Sequence, residues 1–528
     1  MAKTFEIHPA IGIARVGNSV AKDASGAFNG FYLGPEPGEV PPAQYRDASG
    51  HLKRQAARFR VFECDRDAGG KLLTAAELTG QPGVVVTWTV KLANRKAVAA
   101  NFQHPARRNH ATGNDVTDAS LIIGPAQQDF TGANQPHKTF DGQFRTVPVN
   151  LGEAWTDAAG RLLVVGGIGK SRMVVTPGVE TIGDPGHFAD NDNWYDDVSD
   201  GPITASIKLA NGTTVAEAQV KGSWLIVGPF DFAPPIANFI TLYDAISQAV
   251  GGQVPATPSF TAHVYPILSR PIGYQWVNAR ARKGHGPVPP NLPGNFAARW
   301  VQLASAATPS SVRKKILDRL RDPIALPAST STSMPRLHDE TNSDAVLPPT
   351  KLQFAILQKW VAGQFLSDWN AALVEPSDIE KHRTAILNEK LPETLTRVAL
   401  EACSGGAFFP GIEVGRIVKE SATYLEPFRF NATTIKPGEV TQGNALPWQA
   451  DFYACRWEGL HGQQGIGWWP AQRPDDVFPK ATPSSSKRWD RGINSDQELV
   501  QNWDKLGVVR QVGAGVAITY LEDERTLS

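Results

Sequence analysis

Reactive side chains are sparse in this chain, and those that stand out fall in two segments. The first is Leu400-Glu-Ala-Cys-Ser-Gly-Gly-Ala-Phe-Phe-Pro-Gly-Ile-Glu-Val-Gly415. It places Cys403, one of three cysteines with Cys64 and Cys455, at a helix end before Gly-Gly, where the sulfur is open to a neighbouring element. A thiol so placed is a nucleophile once ionised. The second runs Trp448-Gln-Ala-Asp-Phe-Tyr-Ala-Cys-Arg-Trp457 and then Gly467-Trp-Trp-Pro-Ala-Gln-Arg-Pro-Asp-Asp476. Adjacent Trp468 and Trp469, between Gly and Pro, put large aromatic area on a constrained backbone. Glu413, Asp451, His461 and Asp475 are the proton-carrying groups these segments contribute. On the residues alone two readings stand: a buried cysteine beside a tryptophan-rich patch of core, or a site built from both segments.

Other motifs carry less. Val164-Val-Gly-Gly-Ile-Gly-Lys-Ser171 ends like a phosphate-binding loop, but the Walker pattern needs glycine where Val164 stands. A glycine-rich turn is the better reading. Phe188 to Gly201 is crowded with Asp and Asn, which could hold a hard cation. Its spacing is not that of an EF-hand, and such residues also serve turns and caps. No GxSxG elbow and no HExxH pair occurs, so neither a hydrolase nucleophile nor a short-spaced metal pair is present.

Composition narrows the class further. With 52 basic and 52 acidic residues the charges cancel, which argues against a nucleic-acid partner. Three cysteines in 528 residues make no disulfide framework. No apolar run is long enough to span a membrane, and the start, Met1-Ala-Lys-Thr-Phe-Glu-Ile-His, has no signal core. The expectation is a soluble protein, cytoplasmic or exported without a Sec signal.

The elements that must position the two segments read as α+β. Phe5–His8, Gly12–Val16, Phe59–Glu63, Val84–Val90 and Arg161–Val165 are short β-branched or alternating runs between Gly, Pro and Asp. Thr204 to Leu209 followed by Asn211-Gly212 predicts a hairpin on a type I′ turn, returning from Val215 to Val220. Ser223 to Val227 is a further strand. From Ile240 the period becomes helical. Helices are expected at 240–247, 310–321, 352–369 and 393–402, the third burying Leu352, Ala355, Ile356, Gly363 and Leu366. The expected division is a β-rich N-terminal domain over 1–254, a Pro-rich connecting region with short helices over 255–345, and a helix-and-loop C-terminal catalytic domain over 346–528.

The two segments resemble the signature of the cysteine tryptophylquinone oxidases of the lysine ε-oxidase and glycine oxidase type. The likeness extends to Ile7-His-Pro-Ala-Ile-Gly-Ile-Ala-Arg-Val-Gly-Asn-Ser19, Leu52 to Phe62, Trp194 to Pro202, Asp231-Phe-Ala-Pro234, Thr241-Leu-Tyr-Asp244, Met334-Pro-Arg-Leu337 and Tyr520 to Arg525. It therefore covers the chain end to end.

The resemblance implies a cofactor made from the chain itself, cysteine tryptophylquinone, with Cys403 joined by a thioether to Trp468, or to Trp469 if the register shifts by one. It implies a quinoprotein amino-acid or amine oxidase. A primary amine condenses with a quinone carbonyl, a positioned base removes the α-proton, and hydrolysis releases an aldehyde or oxo acid. Dioxygen then reoxidises the ring, giving hydrogen peroxide and ammonia. Glu413 and Asp451, then His461 and Asp475, are the candidate bases. It also implies a flavoprotein maturation partner, a homo-oligomer and a bacterial origin. One position departs from the family pattern. Members with an assembled quinone carry aspartate four residues before the cysteine, and here Ala399 stands there, with Glu401 two before. Residues four apart on a helix share a face and residues two apart do not. Two alternatives stay open: a relative with a lost or altered quinone acting on another substrate, and a non-catalytic binding protein.

Overall fold

The computed structural model describes residues 2–99, 118–285, 299–324, 334–335, 337–338, 346–405, 412–454 and 470–527. Its N-terminal half is dominated by one large sheet. The strands needed here are β1 (Ala2–His8), β2 (Ile11–Arg15), β3 (Arg54–Arg66), β4 (Val85–Asn94), β5 (Ile123–Thr131), β6 (Lys138–Phe144), β7 (Val147–Thr156), β8 (Leu162–Gly166), β9 (Ser199–Lys208) and β10 (Ser223–Gly228). The main path runs β5-β4-β9-β10-β2-β3-β8-β7-β6, and β1 lies antiparallel against β3. The strand runs expected from sequence are present, apart from the hairpin return corrected below.

Burial along the strands says which ones face the C-terminal half. β4 alternates through much of its length, as a strand with one wet face should. β2 and β10 are buried at every position and pair in parallel, with Gly228 beside Arg15. Side chains alternate across a strand. Ile11, Ile13, Trp224 and Ile226 therefore pack into the layer holding Cys403, while Ala14, Leu225 and Val227 join the larger core opposite. These two central strands are sandwiched.

The helices lie mainly in the C-terminal half: α1 (Leu242–Ala249), α2 (Lys351–Val361), α3 (Leu391–Glu401) and α4 (Trp448–Ala454) are the ones used below. Thr241 and Thr350 cap α1 and α2 in capping boxes with Asp244 and Gln353. Pro392 sits in the first turn of α3, where its missing N–H costs nothing. Among the described residues no helix is long and apolar enough to cross a membrane.

Two expectations need correction. α2 stops at Val361 because Gly363 adopts φ 79°, a left-handed stop, and does not continue to Trp369. It buries Gln353, Phe354, Leu357 and Trp360, and Leu366 is exposed. The Asn211-Gly212 hairpin forms, yet only Gly212 has positive φ, so the turn is not type I′. Its return strand is just Thr214–Val215, before a 3-10 turn at Glu217–Gln219.

Candidate active site

Cys403 lies just past the end of α3, fully buried in the layer beneath β2 and β10. The chain leaving the helix pairs with the segment entering α1. Leu242 donates its N–H to the Cys403 carbonyl at 2.9 Å, and Gly405 donates to the Ile240 carbonyl at 3.1 Å. This approach explains the glycine. A Cβ on Gly405 would lie 2.9 Å from both the Ile240 side chain and the Thr241 carbonyl oxygen. The sulfur is therefore held by backbone pairing on both sides of its residue.

Around it the fold assembles a buried charge cluster from four separate stretches of sequence. The Glu413 carboxylate lies close enough to the Cys403 thiol to raise its proton affinity. Glu413, 0% exposed, also accepts the Ser404 backbone N–H and forms an ion pair with Arg15. Gln472 Nε2 lies 3.5 Å from Glu413 Oε2. Arg15, the last residue of β2, spends its other donors on the carbonyls of Pro229 at 3.3 Å and Ala402 at 3.1 Å. Its guanidinium is 3.9 Å from Asp231, whose Oδ1 accepts the Ala233 N–H.

Burial and the neighbouring charges set the proton affinities. Burial first, and Glu413 second, push the Cys403 thiol well above its ordinary range, with Arg15 opposing. Burial raises Asp231 to about 6, against the pull of Arg15 and with a further push from Glu413. Burial would lower Arg15, but Glu413 and Asp231 outweigh it and hold the guanidinium charged. The result is a protonated sulfur in contact with an anchored carboxylate.

The expected site residues divide. Cys403 and Glu413 meet. Asp451 is buried on α4, the helix whose Phe452 carbonyl accepts from Arg473 Nη1, next to the Gln472 that reaches Glu413. Asp475 lies further along the same stretch, raised to about 6 by burial and bonded to Asn278 at 2.7 Å. Trp468, Trp469, His461 and Cys455 lie outside the described residues. Arg15, Asp231 and Gln472 were missed as site residues. A coarse signal existed, since all three fall in segments that carry the family likeness.

Glu401 is not a partner for the sulfur. It is bound to Arg383 at 2.6 Å, with Arg397 at 3.1 Å and Arg270 at 3.5 Å, and although burial works against it these arginines hold it at about 2. Ala399 packs with Ile13 and Leu400 in the apolar layer. The position four before Cys403 is thus core.

The other acidic and glycine-rich motifs are occupied by the chain itself. Asp196 binds Lys96, both fully buried, at 2.5 Å. Asp200 accepts from Trp224 Nε1, Thr441 Oγ1 and two backbone N–H groups. Asp197 accepts the Lys170 N–H at 2.9 Å, inside the loop that mimics a phosphate site.

The chain as a whole was compared with known proteins once this geometry was clear. Family models described as "L-Lysine epsilon oxidase N-terminal" and "L-lysine epsilon oxidase C-terminal domain" match residues 8–227 and 329–476. A curated relative, L-lysine 6-oxidase of Marinomonas mediterranea, is 23% identical over 96% of this chain and 87% of its own. Solved structures of the L-Lys ε-oxidase from that organism share the fold. One matches with TM-score 0.73 at 19% identity. Another, titled as the Schiff base intermediate with L-Lys, matches with TM-score 0.71 at 20% identity, covering 99% of this chain and 95% of that one. The two matched regions between them take in Arg15, Cys403, Glu413 and Gln472, and the chain belongs to the L-lysine ε-oxidase family of amino-acid oxidases.

Proposed function

We propose that this chain oxidatively deaminates a primary amine or amino acid with a cysteine tryptophylquinone made from Cys403 and Trp468, releasing ammonia and hydrogen peroxide. The observation that carries the reading is the surroundings of Cys403 in a chain of this family. Its thiol is buried against a carboxylate, and Gln472, four residues after Trp468, touches that same carboxylate. Four residues of chain span at most about 14 Å, a tether short enough to serve a Cys403–Trp468 pair. The donor set also fits such a group. Ser404 Oγ is buried without a hydrogen-bond partner among the described residues, a donor left over beside the sulfur.

The quinone, once assembled, supplies an electrophilic carbonyl for a primary amine and a sink for two electrons. The chain's own residues do the rest. Arg15 pairs with Glu413 and fixes it, and the sandwich of β2, β10, α1 and α3 excludes water. Asp231, held near 6, has the proton affinity a base needs to work close to neutral pH, and we assign it the exchange of protons with substrate. Asp451 and His461 are the further candidates. A small amine and dioxygen are the reactants, and a flavoprotein maturation partner and a homo-oligomer belong to the same reading.

The test is intact-mass measurement of protein co-expressed with a flavoprotein monooxygenase, followed by peptide mapping. A mature cofactor adds roughly 28 Da and links the peptides of Cys403 and Trp468. Peroxide release on a panel of amino acids and amines then identifies the substrate class. An unmodified mass with no peroxide from any amine would overturn the proposal.

A further inference from the structure

We infer that Glu413 accepts the proton of the Cys403 thiol in the step that joins the sulfur to the indole, so that its task is building the cofactor and not taking the substrate's α-proton. The inference rests on the Cys403–Trp468 reading above and adds a role within it.

The geometry commits Glu413 to the sulfur. The residue is fully buried, and each of its oxygens already faces protein groups. One pairs with Arg15, and the other takes the Ser404 N–H with Gln472 beside it. The Ser404 bond fixes the carboxylate from the residue next to Cys403, so sulfur and acceptor cannot drift apart independently. This carboxylate is the neighbouring charge that most raises the thiol's proton affinity. A thiol is a poor nucleophile and its thiolate a good one, so a buried sulfur held protonated needs a local acceptor before it reacts. Glu413 is anchored on the residue next to Cys403, whereas Asp231 meets the cluster through Arg15 at 3.9 Å.

The chemistry balances around that transfer. The S–H bond and one indole C–H bond break, and the Sγ–C bond forms. Two protons and two electrons leave, the electrons reducing one dioxygen to hydrogen peroxide. The sulfur's proton leaves by way of Glu413. Arg15, fixed by the Pro229 and Ala402 carbonyls, holds the carboxylate in place beside Ser404.

The experiment compares wild-type protein, Glu413→Gln and Glu413→Asp, each expressed with the flavoprotein partner. The readouts are intact mass, peptide mapping and alkylation of Cys403 after denaturation, with circular dichroism and melting temperature to report folding. Glu413→Gln is isosteric and keeps the hydrogen bond while removing the proton acceptor. Its crosslinking rate is expected to fall on the order of a hundredfold, leaving Cys403 free to alkylate in folded protein. Glu413→Asp keeps a carboxylate, and crosslinking is expected to return in part. It decides the matter should Glu413→Gln fail to fold, because a wild-type rate with the shortened, withdrawn carboxylate would overturn the role. A fully crosslinked Glu413→Gln protein would overturn it too and leave the quinone reading standing. Unmodified wild-type protein would remove that reading and this inference together.

Discussion

Arg15 and Glu413 form a fully buried ion pair that joins the end of a central strand to the segment after Cys403. Removing one member of such a pair strands a charge, whereas removing both leaves neutral groups. Arg15→Met is expected to destabilise the protein by about 3–5 kcal/mol. The double variant Arg15→Met/Glu413→Gln should recover part of that loss. Urea unfolding of the four proteins measures the difference, and a double variant as unstable as the sum of the single ones would argue against a buried pair.

Asp231 makes stability depend on pH in a predictable sense. Its folded-state affinity is raised to about 6, above the ordinary carboxylate value, so between pH 4 and 6 the folded protein binds more protons than the unfolded chain. Stability contributed by this group therefore falls as pH rises through that window, and the full cost is present above 6. Asp231→Asn removes the titration. Its melting temperature should gain relative to wild type as pH goes from 4 to 7, and parallel curves would show that the aspartate is not desolvated.

Glu401 titrates in the opposite direction. Three arginines hold it at about 2, so its contribution is present above the normal carboxylate value and is lost as pH falls toward 2. Glu401→Gln removes the carboxylate that Arg383, Arg397 and Arg270 share, leaving them Glu380, Glu389 and Asp244, and is expected to cost about 3–5 kcal/mol at neutral pH. Thermal unfolding at pH 7 and pH 3 should show the variant's deficit shrinking with acid.

Gly405 is tight for steric reasons alone. A methyl there meets the backbone and side chain of Ile240–Thr241 at 2.9–3.0 Å. Gly405→Ala is expected to cost about 1–3 kcal/mol and to lower the fraction of Cys403 converted to thioether, read by mass. Unchanged conversion and stability would show that the pairing with residues 240–242 yields freely.

Much of this was readable before any coordinates. The alternating and β-branched runs lie where the strands are, because burial on one face or two leaves a period in the sequence. The sulfur was readable too, through its place before Gly-Gly. Arg15 was not. It sits inside the expected run Gly12–Val16 as a lone charge, and the partners that occupy it, Glu413 and Asp231, lie far along the chain. Asp231 was hidden similarly, in a Phe-rich stretch where a lone aspartate reads as a turn. The reach of α2 was misjudged because Gly363 fits a helical face by spacing while its backbone takes the left-handed region. Long-range partners and backbone hand leave little trace in local pattern.

The glycine-rich loop at Gly166–Ser171 has a consequence of its own. Asp197 sits so close to Gly167 that a Cβ there would lie 2.4 Å from its Oδ2, and the Lys170 and Gly169 amides grip the same carboxylate. The socket is already plugged, with the plug supplied by the segment that leads into β9. A nucleotide would have to evict Asp197 and set its own phosphates beside Asp196, trading one internal anion for several foreign ones. A resemblance to a nucleotide cradle is thereby converted into a latch that fastens the loop to the sheet.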